Sequence, residues 1–152
     1  ENIKVLPQNY LLDDLMTKDL NYTSTVPKDA DIETIRVGIE ASKMLTVIDA
    51  GQTAVVKDGS VISLEGVEGT DKTIQRAYDL AGKNCIIVKS ARPKQDNRID
   101  IPTIGLNTIK KIVEINAKGI VIEADKMLFL DQDEVISYAN KNKIFIKGMK
   151  YD

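Results

Sequence analysis

Short apolar segments alternate with amphipathic segments along most of this chain, and this alternation restricts the possible folds more than any other feature. Apolar runs at residues 85–89 and 119–123 are typical of buried strands. Residues 71–81 and 131–142 instead repeat their apolar side chains at the 3.6-residue spacing of a helix. This order predicts an α/β layered domain, with helices flanking the sheet.

A β-hairpin is predicted across residues 53–64. Two β-branched runs flank Asp58-Gly59, and a two-residue Asp-Gly connection between such runs is a strong hairpin signal. Gly59 can adopt the positive φ that a primed turn requires. An antiparallel hairpin among strands that alternate with helices makes a mixed sheet the expectation.

Two further helices and two further strands complete the prediction. Helices are expected from Asp29 or Asp31, either of which can cap the first turn, to about residue 45, and again after Gly105. Thr70 or Asp71 is expected to cap the helix over 71–81. The remaining strands are expected at residues 127–130 and 144–147.

The first 28 residues carry a weaker pattern. A short strand is expected at residues 3–6, followed by an irregular polar stretch up to Pro27. The chain begins with Glu1 instead of Met, so we expect a fragment of a longer protein. Residues 1–28 are interpreted as the tail of a missing N-terminal domain plus a linker, and residues 29–152 as the C-terminal catalytic domain.

The absence of histidine restricts the chemistry most strongly. Zinc sites built on histidine, Ser-His-Asp triads and histidine general bases cannot form within this chain. A net charge of −2 argues against a nucleic-acid surface. The single cysteine, Cys85, lies in an apolar run and is expected in the core, which excludes a disulfide and suits a reducing cytoplasm.

Three segments could carry chemistry, and each also has an ordinary structural interpretation. Residues 65–71 pass through two glycines into the start of a helix, whose backbone amides suit a phosphate. Three carboxylates in the same segment suit a divalent cation. The segment could equally be a plain strand-to-helix turn. Residues 89–100 offer cations for a diphosphate and carboxylates for metal or water, or form a solvated charged loop. Residues 102–105 and Glu123 supply a helix-entry turn and a strand-end carboxylate that could be an oxygen ligand.

Taken together and in this order, these segments resemble the LpxI family of UDP-2,3-diacylglucosamine pyrophosphatases. The resemblance is carried by residues 45–52, by Glu65 to Asp71, by the spacing Pro-Lys-Gln-Asp-x-Arg-x-Asp-x-Pro-x-x-Gly over residues 93–105, and by residues 120–124. It covers the chain from about Tyr10 to Gly148. Ala124-Asp125 departs mildly from the family, where a glycine-containing turn is common.

The resemblance implies a hydrolase of lipid A biosynthesis. It implies hydrolysis of UDP-2,3-diacylglucosamine to UMP and 2,3-diacylglucosamine 1-phosphate, with Mg²⁺ or another divalent cation and with water attacking the β-phosphorus. It also implies a substrate site between two domains, so this chain alone could be inactive. The protein is expected in the cytoplasm, bound peripherally to the inner membrane. No nucleic-acid partner is expected, and a homo-oligomer is possible.

Carried over residue by residue, the resemblance suggests a set of site residues. Asp96 and Asp100 are the expected catalytic pair, without a decision between binding metal and positioning water. The metal ligands would be Glu68, Asp71, Asp96 and Glu123. The substrate-binding residues would be Gly69, Thr70, Lys89, Lys94, Gln95, Arg98 and Thr103.

Two other classes of function remain as alternatives. The chain could be a non-catalytic nucleotide- or phospholipid-binding module, whose ligand binding would survive chelation. It could also be an interaction domain that positions a separate enzyme, in which case no substrate-sized cleft is expected beside Asp96.

Overall fold

A computed structural model describes residues 12–93 and 101–151. Within these ranges, four α-helices and seven strands follow two short 3-10 helices, Asp13–Leu15 and Asp29–Asp31. The α-helices are α1 (Ile32–Val47), α2 (Thr70–Ala81), α3 (Leu106–Glu114) and α4 (Gln132–Lys141). The strands are β1 (Thr53–Lys57), β2 (Ser60–Leu64), β3 (Ile86–Lys89), β4 (Thr103–Ile104), β5 (Gly119–Glu123), β6 (Leu128–Phe129) and β7 (Phe145–Met149).

The predicted α/β fold with a mixed sheet is confirmed. Five strands form one sheet in the order β2-β1-β3-β5-β7. Strand β1 is antiparallel to both of its neighbours, whereas β3, β5 and β7 run parallel. Helix α1 packs on one face, where Ile35 shares a core cluster with Val56, Val88 and Val121. The alternate side chains of the same strands pack with α2, α3 and α4 on the other face, which gives three layers.

The predicted hairpin is confirmed at its predicted turn. Asp58 and Gly59 have φ angles of 48° and 76°, as a type I′ turn requires. The β1-β2 register shifts between Val55 and Val56, so a β-bulge interrupts the ladder. Strand β2 lies at an edge of the sheet, and the bulge makes that edge a poorer template for pairing with another chain.

The expected turn at residues 102–105 is in part a strand. Thr103 and Ile104 form β4, which pairs in parallel with β6 in a separate two-stranded sheet. The Leu128 amide donates to the Pro102 carbonyl at 2.8 Å. This pairing joins residues distant in sequence, and a two-residue strand is too short to leave a periodic pattern.

The predicted N-cap position is wrong for α2 and right for α1, although the Asp31 side chain does not cap that helix. Gly69 is the N-cap of α2, and Thr70 and Asp71 lie inside its first turn. Asp31 is the N-cap of α1, but its side chain makes no capping hydrogen bond to that helix. Its carboxylate instead accepts the Lys28 amide at 3.0 Å and the Lys118 ammonium at 2.5 Å, because both donors reach the buried Asp31 side chain.

Residues 12–27 lie against the domain. Thr17 is buried; its hydroxyl donates to the Glu123 carbonyl at 2.7 Å, and its carbonyl accepts the Asp125 amide at 2.7 Å. Tyr22 packs edge-on against Phe129, with ring centroids 4.9 Å apart. This part of the predicted linker therefore contributes to the packed structure. The strand predicted at residues 3–6 lies outside the described residues, and the domain boundary stays a prediction.

Asp31→Asn should reduce stability at neutral pH. Burial alone would raise the pKa of Asp31, but hydrogen bonds from Lys118 and the Lys28 amide lower it on balance. A lowered pKa in the folded state means that this stabilisation is present at neutral pH and disappears as the pH falls through that pKa. We expect a loss of about 2 kcal/mol at pH 7 and a smaller loss at an acidic pH, where more of the Asp31 carboxylate is protonated.

Urea denaturation of both proteins at the two pH values measures this difference. Asp29→Asn, an exposed neighbour, is the matched control and should change stability by less than about 0.5 kcal/mol. An equal loss for Asp31→Asn at both pH values would show that the lost stability does not come from the charged carboxylate.

Candidate active site

The candidate site lies at the carboxyl edge of the five-stranded sheet. Strands β3, β5 and β7 are parallel, so Lys89, Glu123 and Met149 all lie towards this edge. Because β1 is antiparallel to β3, Thr53 at its start pairs with Lys89. Strand β2 ends at the same edge and leads into residues 65–71. Ligands of α/β sheets commonly bind at such an edge.

Glu65 ties the turn before α2 to the start of β1. One carboxylate oxygen accepts the Gln52 amide at 3.1 Å, and the other accepts the Thr70 hydroxyl at 3.1 Å. Gly69 and Thr70, two predicted substrate-binding residues, are thereby fixed at the beginning of α2. The amino end of a helix carries partial positive charge, which suits a phosphate group.

Glu68 is engaged by protein donors on both of its oxygens. Oε1 accepts hydrogen bonds from Arg76 at 2.6 Å and Thr73 at 3.2 Å, and Oε2 accepts the Gly66 amide at 3.1 Å. The Arg76 hydrogen bond is the main reason that the pKa of Glu68 is lowered. Glu68 therefore braces the turn, whereas Asp71 is exposed in the first turn of α2.

Lys89 lies at the end of β3, near the carboxylates of Glu65 and Asp71. Burial lowers the pKa of Lys89, and the nearby carboxylates of Glu65 and Asp71 oppose that shift. Its backbone carbonyl accepts the Tyr151 hydroxyl at 3.0 Å. A partly buried ammonium at this edge is suited to contact an anionic group.

Glu123 holds the start of the loop that follows β3. It is 5% exposed; Oε2 accepts the Ala91 amide at 2.8 Å, and Oε1 lies 3.0 Å from the Lys126 ammonium. Burial, with a smaller effect of the Glu123 charge, raises the pKa of Tyr151. Glu123 and Tyr151 together fix residues 89–91 through these hydrogen bonds.

Arg92 continues this loop across the edge. Its Nε lies 3.1 Å from Asp49 Oδ1, without the alignment of a hydrogen bond. The five predicted site residues that follow lie outside the described residues; they are Lys94, Gln95, Asp96, Arg98 and Asp100. Binding of one diphosphate by both segments would require residues 90–100 to lie beside residues 66–71, and this arrangement remains a prediction.

The structure brings the described candidates to one edge, except that Thr103 lies in the smaller sheet. Thr103 is exposed in β4, and its hydroxyl donates to the Ile101 carbonyl at 3.2 Å. The candidates placed at the carboxyl edge of the main sheet, including the helix start beside it, are Gly69, Thr70, Asp71, Glu68, Lys89 and Glu123.

Sequence reasoning assigned no site role to three residues at this edge. Asp49 and Gln52 lie in residues 45–52, which resemble the family. Their position in that segment could have indicated a role at the site. Tyr151 follows the last strand, and no sequence pattern marks it as the partner of Lys89. Its role depends on a contact between residues 62 positions apart.

The described residues do not assemble a metal site by themselves. Among residues 12–93 and 101–151, no three acidic or cysteine side chains are grouped closely enough to hold an ion. Both oxygens of Glu68 and of Glu123 already meet protein donors. A cation at this edge could use Asp71, with further ligands from elsewhere.

Comparison with known proteins identifies the family. A family model described as the LpxI C-terminal domain matches residues 18–147. The chain belongs to the LpxI family. UDP-2,3-diacylglucosamine pyrophosphatase LpxI of Caulobacter vibrioides is 31% identical over 131 residues, which are 81% of this chain and 47% of that protein. The chain thus spans about half the length of this LpxI relative.

None of the helices in the described part of the chain is both long and apolar enough to cross a membrane.

Proposed function

We propose that the full-length protein hydrolyses UDP-2,3-diacylglucosamine to UMP and 2,3-diacylglucosamine 1-phosphate, and that this chain is its catalytic domain. The main support is the convergence at one sheet edge of the partly buried Lys89, the amino end of α2 and the carboxylate of Asp71, in a chain of the LpxI family. The relative named for this activity aligns with this chain over 131 residues, which are 47% of its own length.

The reaction requires water to attack one phosphorus of a diphosphate. In the proposed step, a bond forms between the water oxygen and the β-phosphorus, the bond from that phosphorus to the bridging oxygen breaks, and UMP leaves. Asp96 and Asp100 are proposed to position the water and accept its proton. Lys89, Lys94 and Arg98 are proposed to bind the diphosphate oxygens, with Gly69 and Thr70 at the helix start.

Mg²⁺ is the proposed cofactor. Of the described acids suggested as ligands, Asp71 fits best, since Glu68 and Glu123 are occupied by protein donors. We propose that Asp71 and Asp96 hold the ion. A bound Mg²⁺ would neutralise charge on the diphosphate oxygens.

The lipid substrate sets the proposed surroundings of the enzyme. A diacylated nucleotide sugar resides in a membrane, so we propose a cytoplasmic protein that contacts the inner membrane peripherally. The proposed partner within the same polypeptide is the N-terminal domain, which would close the other side of the substrate site.

Asp71→Asn and Glu68→Gln separate the two proposed roles of acidic residues at the α2 turn. We expect Asp71→Asn to raise the Mg²⁺ concentration for half-maximal activity about tenfold, because a charged ligand is lost. Glu68→Gln should leave that concentration nearly unchanged and lower only the Tm. Mg²⁺ titrations of UMP release measure both; the reverse ranking of the two variants would make Glu68 the ligand.

Isotope-labelled water tests the site of attack. Full-length protein in ¹⁸O-water should place the label in 2,3-diacylglucosamine 1-phosphate, as read by mass spectrometry. Label in UMP would reject attack on the β-phosphorus, and the absence of both products would reject the proposed function.

A further inference from the structure

An apolar groove lies on the α1 face of the sheet. Helix α1 packs over β1, β2 and β3, and the groove lies beside it, with Lys147 and Met149 of β7 in its lining. The groove has a volume of about 470 Å³. Its apolar lining includes Val26, Pro27, Ile32, Ile35, Ile39 and Met149.

Exposing this apolar lining to water costs free energy unless a ligand covers it. Val26 and Ile32 are 46% and 62% exposed, although each lies beside other apolar side chains of the groove. Arg36 also borders the groove, but its guanidinium is ion-paired with Glu33 and Glu40 on the exposed surface of α1. The groove therefore offers apolar area with its charges at the rim, which suits an apolar ligand.

The groove leads towards the candidate active site. Met149, part of its lining, pairs with Glu123 at the carboxyl edge of the sheet. Two residues further along the chain, the Tyr151 hydroxyl donates to the Lys89 carbonyl. Two residues span at most about 7 Å. Met149 in the groove lining and Tyr151 at the Lys89 carbonyl are therefore close together at the end of β7.

We propose that this groove binds a fatty acyl chain of the lipid substrate. The inference rests on the proposed function, since the acyl chain is part of the substrate whose diphosphate would lie beside Lys89. A concave apolar pocket of this volume is typical of small-molecule sites, whereas contacts between domains are broader and more polar. The charged groups at the rim, such as Arg36, would stay in water while the acyl chain contacts Ile32, Ile35 and Ile39.

Ile32→Trp in the full-length protein tests the proposal by filling the groove. The substrates compared are UDP-2,3-diacylglucosamine with long acyl chains and an analogue that carries acetyl groups instead. We expect the KM for the long-chain substrate to rise about tenfold, with kcat and the KM for the analogue nearly unchanged. Met44→Trp is the matched control, because Met44 is an exposed apolar residue of α1 outside the groove lining.

Other outcomes would overturn the assignment. An equal rise in KM for both substrates would mean that the groove does not discriminate acyl chains. A lower Tm or an altered oligomeric state in Ile32→Trp, with both substrates affected, would indicate that polypeptide covers the groove instead.

A direct binding measurement separates this proposal from the proposed function. Calorimetric titration of the full-length protein with lauric acid, below its micelle concentration, should show binding to wild type and to Met44→Trp, but not to Ile32→Trp. Absence of binding to wild type would reject the groove assignment even if the protein releases UMP. Binding without UMP release would leave the groove intact and reject the proposed function.

Discussion

Asp96→Ala and Asp100→Ala in the full-length protein should each lower kcat about 100-fold or more and leave folding nearly unchanged. If these carboxylates orient water or hold the metal, they stabilise the transition state more than the bound substrate, so the loss appears in kcat. Steady-state UMP release at saturating Mg²⁺, together with a thermal melt of each variant, provides the measurement.

Asp133→Ala is the matched control, since Asp133 is an exposed acid in the first turn of α4. A surface acid with no role in the reaction typically changes stability by about 0.5 kcal/mol or less. Wild-type turnover in both aspartate variants, with an intact melting transition, would move the catalytic assignment to Asp71.

Gly148→Ala should strongly destabilise the domain. A Cβ at this position would lie 1.9 Å from the Lys18 carbonyl oxygen and 3.3 Å from the Tyr22 ring. The Gly148 amide also donates to the Leu20 carbonyl at 2.9 Å, so residues 18–22 cannot move away without losing that bond. We expect a loss of about 3 kcal/mol, which corresponds to a fall in Tm of about 10 °C for a domain of this size.

Thermal denaturation followed by circular dichroism measures this effect. Gly105→Ala is the control, because its backbone is extended and, among the described residues, no atom beyond its two chain neighbours lies within 4 Å of its Cβ position. A Tm for Gly148→Ala close to that of Gly105→Ala would contradict the close packing of residues 18–22 on β7. It would also favour a linker role for that segment.

The elements predicted correctly from sequence are those determined by local chemistry. The Asp58-Gly59 turn places residues with suitable φ preferences between two β-branched runs, and the hairpin forms there. Helices α2 and α4 follow from apolar spacing within each segment. Strand β4 and the packing of Thr17 depend on partners far along the chain, so no local pattern could indicate them.

The candidate site divides in the same way. Lys89 and Asp71 could be proposed from sequence, because each stands at an element end that an α/β sheet gathers at one edge. The engagement of Glu68 by Arg76 could not, since Arg76 reaches the turn only once α2 has formed. The same limit applies to Glu123 at the end of β5, whose carboxylate accepts the amide of Ala91 after the neighbouring strand β3.

Release of UMP from UDP-2,3-diacylglucosamine by the full-length protein, and separately by this chain, most directly tests metal-assisted hydrolysis. Metal-assisted hydrolysis predicts turnover by the full-length protein with Mg²⁺, its loss on addition of EDTA, and its return when Mg²⁺ is restored in excess. We expect reduced turnover by this chain, which spans about half of the relative's length. Tight binding of the substrate by the full-length protein, unchanged by EDTA and without UMP release at any Mg²⁺ concentration, would contradict metal-assisted hydrolysis and indicate a binding module.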